Sequence, residues 1–81
     1  MNFQLYTDVI LNCDVPEENL KAGDVGVIVE RHDVPDLEPG YSVEFFDMLA
    51  NTVAIVTLAG SRFRSPTHSD RPSVRANSMT A

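Results

Sequence analysis

The sequence has little of several residue types, and each shortage limits what the protein can do. Its one cysteine, Cys13, has no second cysteine to pair with in the chain, which favours a reducing compartment. No apolar run approaches the roughly 20 residues that a membrane helix needs. The N-terminus lacks the basic and apolar regions of a signal peptide. We therefore expect a cytoplasmic protein that does not bind membranes.

Basic residues are also few, and they are unevenly placed. Residues 1–64 contain four Lys/Arg against eleven Asp/Glu, a net charge of −7, whereas residues 65–81 have a net charge of +1. A phosphate-binding surface needs clustered Lys and Arg, so the acidic body disfavours nucleic acid. Arg62 and Arg64, with Arg71 and Arg75 beyond them, form the one basic cluster in the sequence. It indicates either a local patch for RNA or an acidic partner, or solvated charge facing a neighbouring subunit.

The residues that are present predict a small all-β domain. Apolar runs rich in β-branched residues alternate with period two and are separated by Gly, Pro and Asp clusters. Five such short runs favour a small five-stranded barrel, closed or partly open, over residues 1–65, which limits exposed sheet edges. The polar residues 66–81 are expected to be a tail, disordered unless a partner chain holds it. The predicted strands are residues 5–12, 25–32, 41–47, 52–58 and 61–64.

Alternation within these strands assigns a core face and an outer face. An exposed apolar or aromatic surface is typical of a protein interface. We therefore interpret the outward residues as a candidate interface, to which Arg62 and Arg64 are added. The predicted core residues are Leu5, Val9, Leu11, Val25, Val27, Val29, Tyr41, Val43, Phe45 and Phe63. The predicted outward residues are Tyr6, Ile10, Ile28, Phe46 and Val56.

The connections between strands carry recognisable turn signals. Pro16 followed by two glutamates predicts a single helical turn, which would place Leu20 against the core. Gly23 suits a turn that needs positive φ. Gly26 lies inside a predicted strand, where a barrel bends or another backbone approaches closely.

Groups that could support catalysis or bind metal are sparse. Cys13, His32 and His68 are far apart in sequence, and we interpret Cys13 as a structural thiol. The acidic loop 33–40, with Asp47 nearby, lacks EF-hand spacing and is typical of a solvated surface. The absence of Trp disfavours a groove for polyproline ligands. We expect no catalytic residue, no cofactor and no metal site, and hence a protein that is not an enzyme.

The order of the apolar runs resembles that of a bacterial family of small proteins, DUF4926. The resemblance covers residues 5–66 and rests on LYTDVILN, LKAGDVGVIVE, YSVEFFD and TVAIVTLAGSRFR. It implies an SH3-like fold and no particular chemistry, although the genomic setting of such members suits a protein-binding antitoxin. The Gly23-Asp24-Val25-Gly26 element is also similar to the KOW motif of ribosomal and transcription factors, which supports fold more than function.

Three functional hypotheses follow from these observations. The first is a non-enzymatic interaction module that forms a homo-oligomer through its outer apolar face and tail, and binds another protein. The alternative is a KOW-like nucleic-acid or ribosome-associated module that uses Arg62 and Arg64. A third is a metal or small-molecule function in the loop 33–40.

Overall fold

The computed structural model describes residues 2–71 and confirms the all-β prediction. Five antiparallel strands form one curled half-barrel, in which the spatial order is fourth, third, second, first and fifth strand along the chain. This order is compatible with the SH3-like barrel, which stays a prediction. The helical turn predicted at Pro16 is a 3-10 turn, Pro16–Glu18, and a second one, Gly60–Arg62, joins the last two strands. The strands are β1 (Asp8–Leu11), β2 (Val25–His32), β3 (Gly40–Phe46), β4 (Thr52–Ala59) and β5 (Phe63–Arg64).

The core lies on the concave face of the sheet and contains most of the residues predicted for it. Tyr41 is fully buried, its hydroxyl accepts a hydrogen bond from the Phe3 N–H (3.0 Å), and the two rings stack edge to face. Leu20 is buried as predicted, and Gly23 has a φ of 97°. The predicted core residues that are confirmed are Val9, Leu11, Tyr41, Val43, Phe45 and Phe63.

The predicted face assignment of β2 is wrong by one residue. Gly26 and Ile28 lie inward, and Ile28 is fully buried, whereas Val25, Val27 and Val29 are half-buried on the other face. Alternation could not decide which of the two sets of β2 side chains faces the core, because both sets are apolar. The absence of a side chain at Gly26 decides it, since a Cβ there would overlap a methyl group of Val43 and lie 2.9 Å from the Phe45 ring.

Two further face assignments are corrected. Val56 was predicted to face outward, but it belongs to the core together with Ala54. A bulge shifts the β3–β4 register between Phe45 and Phe46. Both alternate sets of side chains in β4 are apolar, so the sequence pattern alone does not show that Val56 faces the core. Leu5 was predicted to be inward but is exposed, because β1 begins only at Asp8.

The corrected face assignment of β2 predicts that truncating two adjacent side chains will lower the free energy of unfolding by very different amounts. We expect Ile28→Ala to lower the free energy of unfolding by roughly 2–5 kcal/mol, because it leaves a cavity in the core. Val27→Ala should cost about 1 kcal/mol or less, since Val27 is half-buried on the outer face. Urea denaturation of both variants measures the difference. Equal losses, or a larger loss at position 27, would contradict the observed phase.

Candidate interaction surface

An apolar surface lies on the outer face of β3 and β4 and continues onto the hairpin that joins them. Phe46 follows the inward Phe45, and Val53 and Ile55 flank the inward Ala54, so all three side chains face outward. Their exposed fractions are 43%, 55% and 58%. The hairpin adds two side chains that are still more exposed. We call this set the β3–β4 patch: Phe46, Met48, Leu49, Val53 and Ile55.

The hairpin presents its apolar tip on an ordered turn. The Asp47 carboxylate accepts hydrogen bonds from the backbone N–H groups of Leu49 (2.8 Å) and Asn51 (2.9 Å), and from the Asn51 side chain (3.2 Å). These bonds, led by that of the Asn51 backbone, hold the pKa of Asp47 below its ordinary value. Ala50 takes the left-handed φ of 65° that closes the turn. Leu49 is therefore exposed because the turn holds it outward.

Sequence reasoning found Phe46 but missed the other members of the patch. Met48 and Leu49 lie between the predicted strands 41–47 and 52–58, so strand alternation assigns them to neither face. The outward position of Val53 and Ile55 depends on the phase of β4, which a small inward residue, Ala54, could have indicated. The burial of Ile28 and Val56 removes these two residues from the predicted interface.

A second part of the outer face is covered by the chain itself. Ile10 faces away from the main core, as predicted, yet it is 1% exposed because residues 66–71 lie over it. The Arg64 guanidinium holds this segment through two bonds to Asp70 (2.9 and 2.7 Å), and Asp70 also accepts the Thr67 N–H (2.6 Å). Ile10 is thus not part of an exposed patch.

Residues 66–71, which we call the docked segment, form the described start of the predicted tail. Arg64 of the same chain bonds to Asp70 within it. The bonds from Arg64 and Thr67 lower the pKa of Asp70 well below its ordinary value. The rest of the predicted tail, with Arg75, lies outside the described residues.

A chain of hydrogen bonds crosses the outer face near the other end of β3. His32 Nε2 lies 2.9 Å from Ser42 Oγ, which lies 2.7 Å from Thr57 Oγ1. Glu30 approaches the same imidazole nitrogen at 3.6 Å. In a Ser-His-acid triad the serine and the acid contact different imidazole nitrogens. Since both groups share Nε2 here, the geometry does not match that of a hydrolytic triad.

The remaining predicted site residues do not converge on one place. The side chain bonded to the half-buried Cys13 thiol is Arg62 (Nη1 to Sγ, 3.5 Å), and this contact raises the pKa of Arg62. Arg64 is bonded to Asp70 instead, so the two arginines have separate partners. Tyr6 is exposed beside β2, with a φ of 63° and its N–H bonded to the Ile28 carbonyl. Within residues 2–71 there is no group of three His, Cys, Asp or Glu that could hold a metal ion.

Comparison with known proteins places the chain in a family. A family model described as a domain of unknown function, DUF4926, matches residues 5–65, about three quarters of the chain. The chain belongs to the DUF4926 family. The resemblance predicted from the sequence is therefore confirmed, and the patch lies within the DUF4926 region.

No curated protein and no solved structure matches the chain. In the part of the chain from residue 2 to residue 71, no helix has the length and apolar character needed to span a membrane.

The contacts of Asp70 predict a pH dependence of the docked segment. Because the pKa of Asp70 is lowered by folding, its ion pair stabilises the docked segment above the unfolded pKa of about 4. This stabilisation is lost as the pH falls through the lower folded pKa. We expect the Thr67 amide shift, followed by NMR, to change mainly below about pH 4.

A substitution tests the same contact at neutral pH. Asp70→Asn should speed hydrogen exchange of the Thr67 amide, because the charged acceptor is lost. Glu17→Gln, which removes a charge in the Pro16–Glu18 turn, is the matched control and should leave that exchange unchanged. Unchanged exchange in Asp70→Asn would show that Asp70 does not hold the segment.

Proposed function

We propose that the protein is a non-enzymatic protein–protein interaction module that self-associates through the β3–β4 patch. The observation that carries the proposal is the clustering of five exposed large apolar side chains on one strand pair and its hairpin. Contiguous exposed apolar surface on a small domain is typical of an interaction site. Exposure of these side chains to water is costly, so burial against a partner has a direct driving force.

The distribution of charge supports a second copy as the partner. Residues 1–64 have a net charge of −7, so most approaches of two copies bring carboxylates together. None of the five patch residues is charged. Two copies that meet at the β3–β4 patch would avoid much of this repulsion, and each would supply the apolar surface that the other lacks.

The alternative, a nucleic-acid-binding module, has weaker support. It depends on Arg62 and Arg64 acting together on phosphates. Asp70 already accepts two bonds from Arg64, and Arg62 is bonded to Cys13. A protein-binding role of the antitoxin type would use the same apolar patch and stays a prediction.

Analytical ultracentrifugation over a wide range of protein concentration tests self-association. We expect the sedimentation coefficient to rise with concentration in the wild-type chain. The double variant Phe46→Ser, Ile55→Ser should remain monomeric, because it removes the centre of the patch. Leu37→Ser is the control, since Leu37 is a large apolar residue that is more exposed than Phe46 or Ile55 but lies in the loop at the opposite end of β3.

Two outcomes would contradict the proposal. A wild-type chain that stays monomeric at millimolar concentration has no functional self-association. A control variant that dissociates as readily as the patch variant would show that general surface hydrophobicity, and not the β3–β4 patch, drives association.

A further inference from the structure

One edge of the sheet is open within the described residues. In the order β4-β3-β2-β1-β5, β4 is an outer strand, and across residues 2–71 its second edge pairs with no other strand. With eight residues it is as long as β2, the longest inner strand. An open edge of this length presents a row of backbone donors and acceptors that can pair with another strand.

The hydrogen-bond ladder identifies which backbone groups face β3. The Gly60 N–H donates to the Pro39 carbonyl (2.8 Å) at the start of the β3–β4 pairing. In an antiparallel pair, hydrogen-bonded positions alternate with positions whose groups point away. From Gly60 the register continues without a shift through Leu58 to Val56, so the N–H and C=O groups of these two residues bond to β3.

The intervening residues therefore face the open edge. Ile55 and Thr57 lie opposite Glu44 and Ser42, at positions that do not exchange hydrogen bonds with β3. Their N–H and C=O groups form the central part of the open edge. Ile55 also belongs to the β3–β4 patch. At this residue an exposed apolar side chain therefore occurs together with backbone groups that do not bond to β3.

The composition of β4 leaves this edge unprotected. Natural proteins block open edges with charged side chains or proline. The sequence of β4, TVAIVTLA, contains neither, and it is the one strand of the five without a charged residue. In a body with a net charge of −7, the unprotected edge is thus also the strand along which two copies meet with least repulsion.

We propose that two copies of the chain associate through antiparallel pairing of their β4 edges, which joins the two sheets into one ten-stranded sheet. The proposal rests on the self-association proposed above and specifies its geometry. A two-fold axis perpendicular to the sheet keeps both outer faces on the same side. With the axis at Ile55, the two Ile55 side chains lie opposite each other and each Val53 lies diagonal to the other copy's Ile55, so edge pairing and apolar contact act together.

Amide hydrogen exchange, measured residue by residue by NMR at low and high protein concentration, tests the pairing. We expect exchange at Ile55 and Thr57 to slow by about tenfold when about 90% of the chains are paired. Val56 and Leu58 are internal controls, because their amides bond to β3 in either state. Their exchange should change less than that of their two neighbours.

A pair of variants at one position gives an independent test. Thr57→Pro removes an edge-facing N–H that the β3–β4 ladder does not use, and outer strands accept proline at such positions. Thr57→Val removes the same hydroxyl group but keeps the N–H. We expect the proline variant to be monomeric by ultracentrifugation and the valine variant to associate like wild type. If the proline variant does not fold, the exchange measurement on the wild-type chain decides.

The outcomes separate this proposal from the function on which it rests. Association without slower exchange at Ile55 and Thr57 overturns edge pairing but leaves self-association through the patch intact. A wild-type chain that never associates overturns both. Slow exchange at these two amides at every concentration also overturns the proposal, because it shows that the chain covers its own edge.

Discussion

The close approach of Phe45 to Gly26 is the constraint on which the arrangement of the sheet depends. The two residues are opposite each other on β3 and β2, and a Cβ at position 26 would lie 2.9 Å from the Phe45 ring. The ring therefore fills the space that a side chain on β2 would otherwise take. Since side chains alternate along each strand, this contact makes Ile28 inward and Phe46 outward. It sets the faces of β3 and of β2 as far as the register shift between Ile28 and Glu30.

The resulting outer face has three parts, which differ in whether they are covered, hydrogen-bonded or exposed. Over Ile10 the chain provides its own cover, which the Arg64–Asp70 pair holds in place. Around Ser42, hydrogen bonds with His32 and Thr57 satisfy polar groups, and Ser42 is almost fully buried among them. Neither arrangement extends to the β3–β4 patch, where the apolar side chains remain open to water.

Sequence patterns predicted where the strands lie, but they predicted which side chains face the core correctly only in some strands. The outcome depends on how strongly the two faces of a strand differ in polarity. In β3, Tyr41, Val43 and Phe45 alternate with Ser42 and Glu44, so the core face is unambiguous. In β2 and β4 both alternate sets of side chains are apolar. Contacts with the neighbouring strand decide which set faces the core, and no local sequence pattern shows these contacts. A sequence signal did exist, because the smallest residue of each apolar strand, Gly26 or Ala54, lies inward against larger neighbours.

The cover over Ile10 could not be predicted for a different reason. Arg64 and Asp70 are six residues apart in a stretch with few apolar residues, which local composition assigned to a disordered tail. The docking depends on a two-bond ion pair and on an apolar surface that the half-barrel assembles from two strands. Such a surface exists only after the sheet has formed, so no periodic pattern in the sequence predicts it.

Small size makes the open edge consequential for the whole domain. A chain of about 60–80 residues buries only about 60% of its unfolded surface, so its stability is small and each exposed apolar group is a large share of it. One side of the sheet ends at β5, the two-residue strand from which the covering segment 66–71 continues. The other side ends at β4, long and uncharged, with patch residues along it. If two copies pair along β4 as proposed, the strand that is free of charge and proline becomes an inner strand, and the exposed apolar side chains along it are buried.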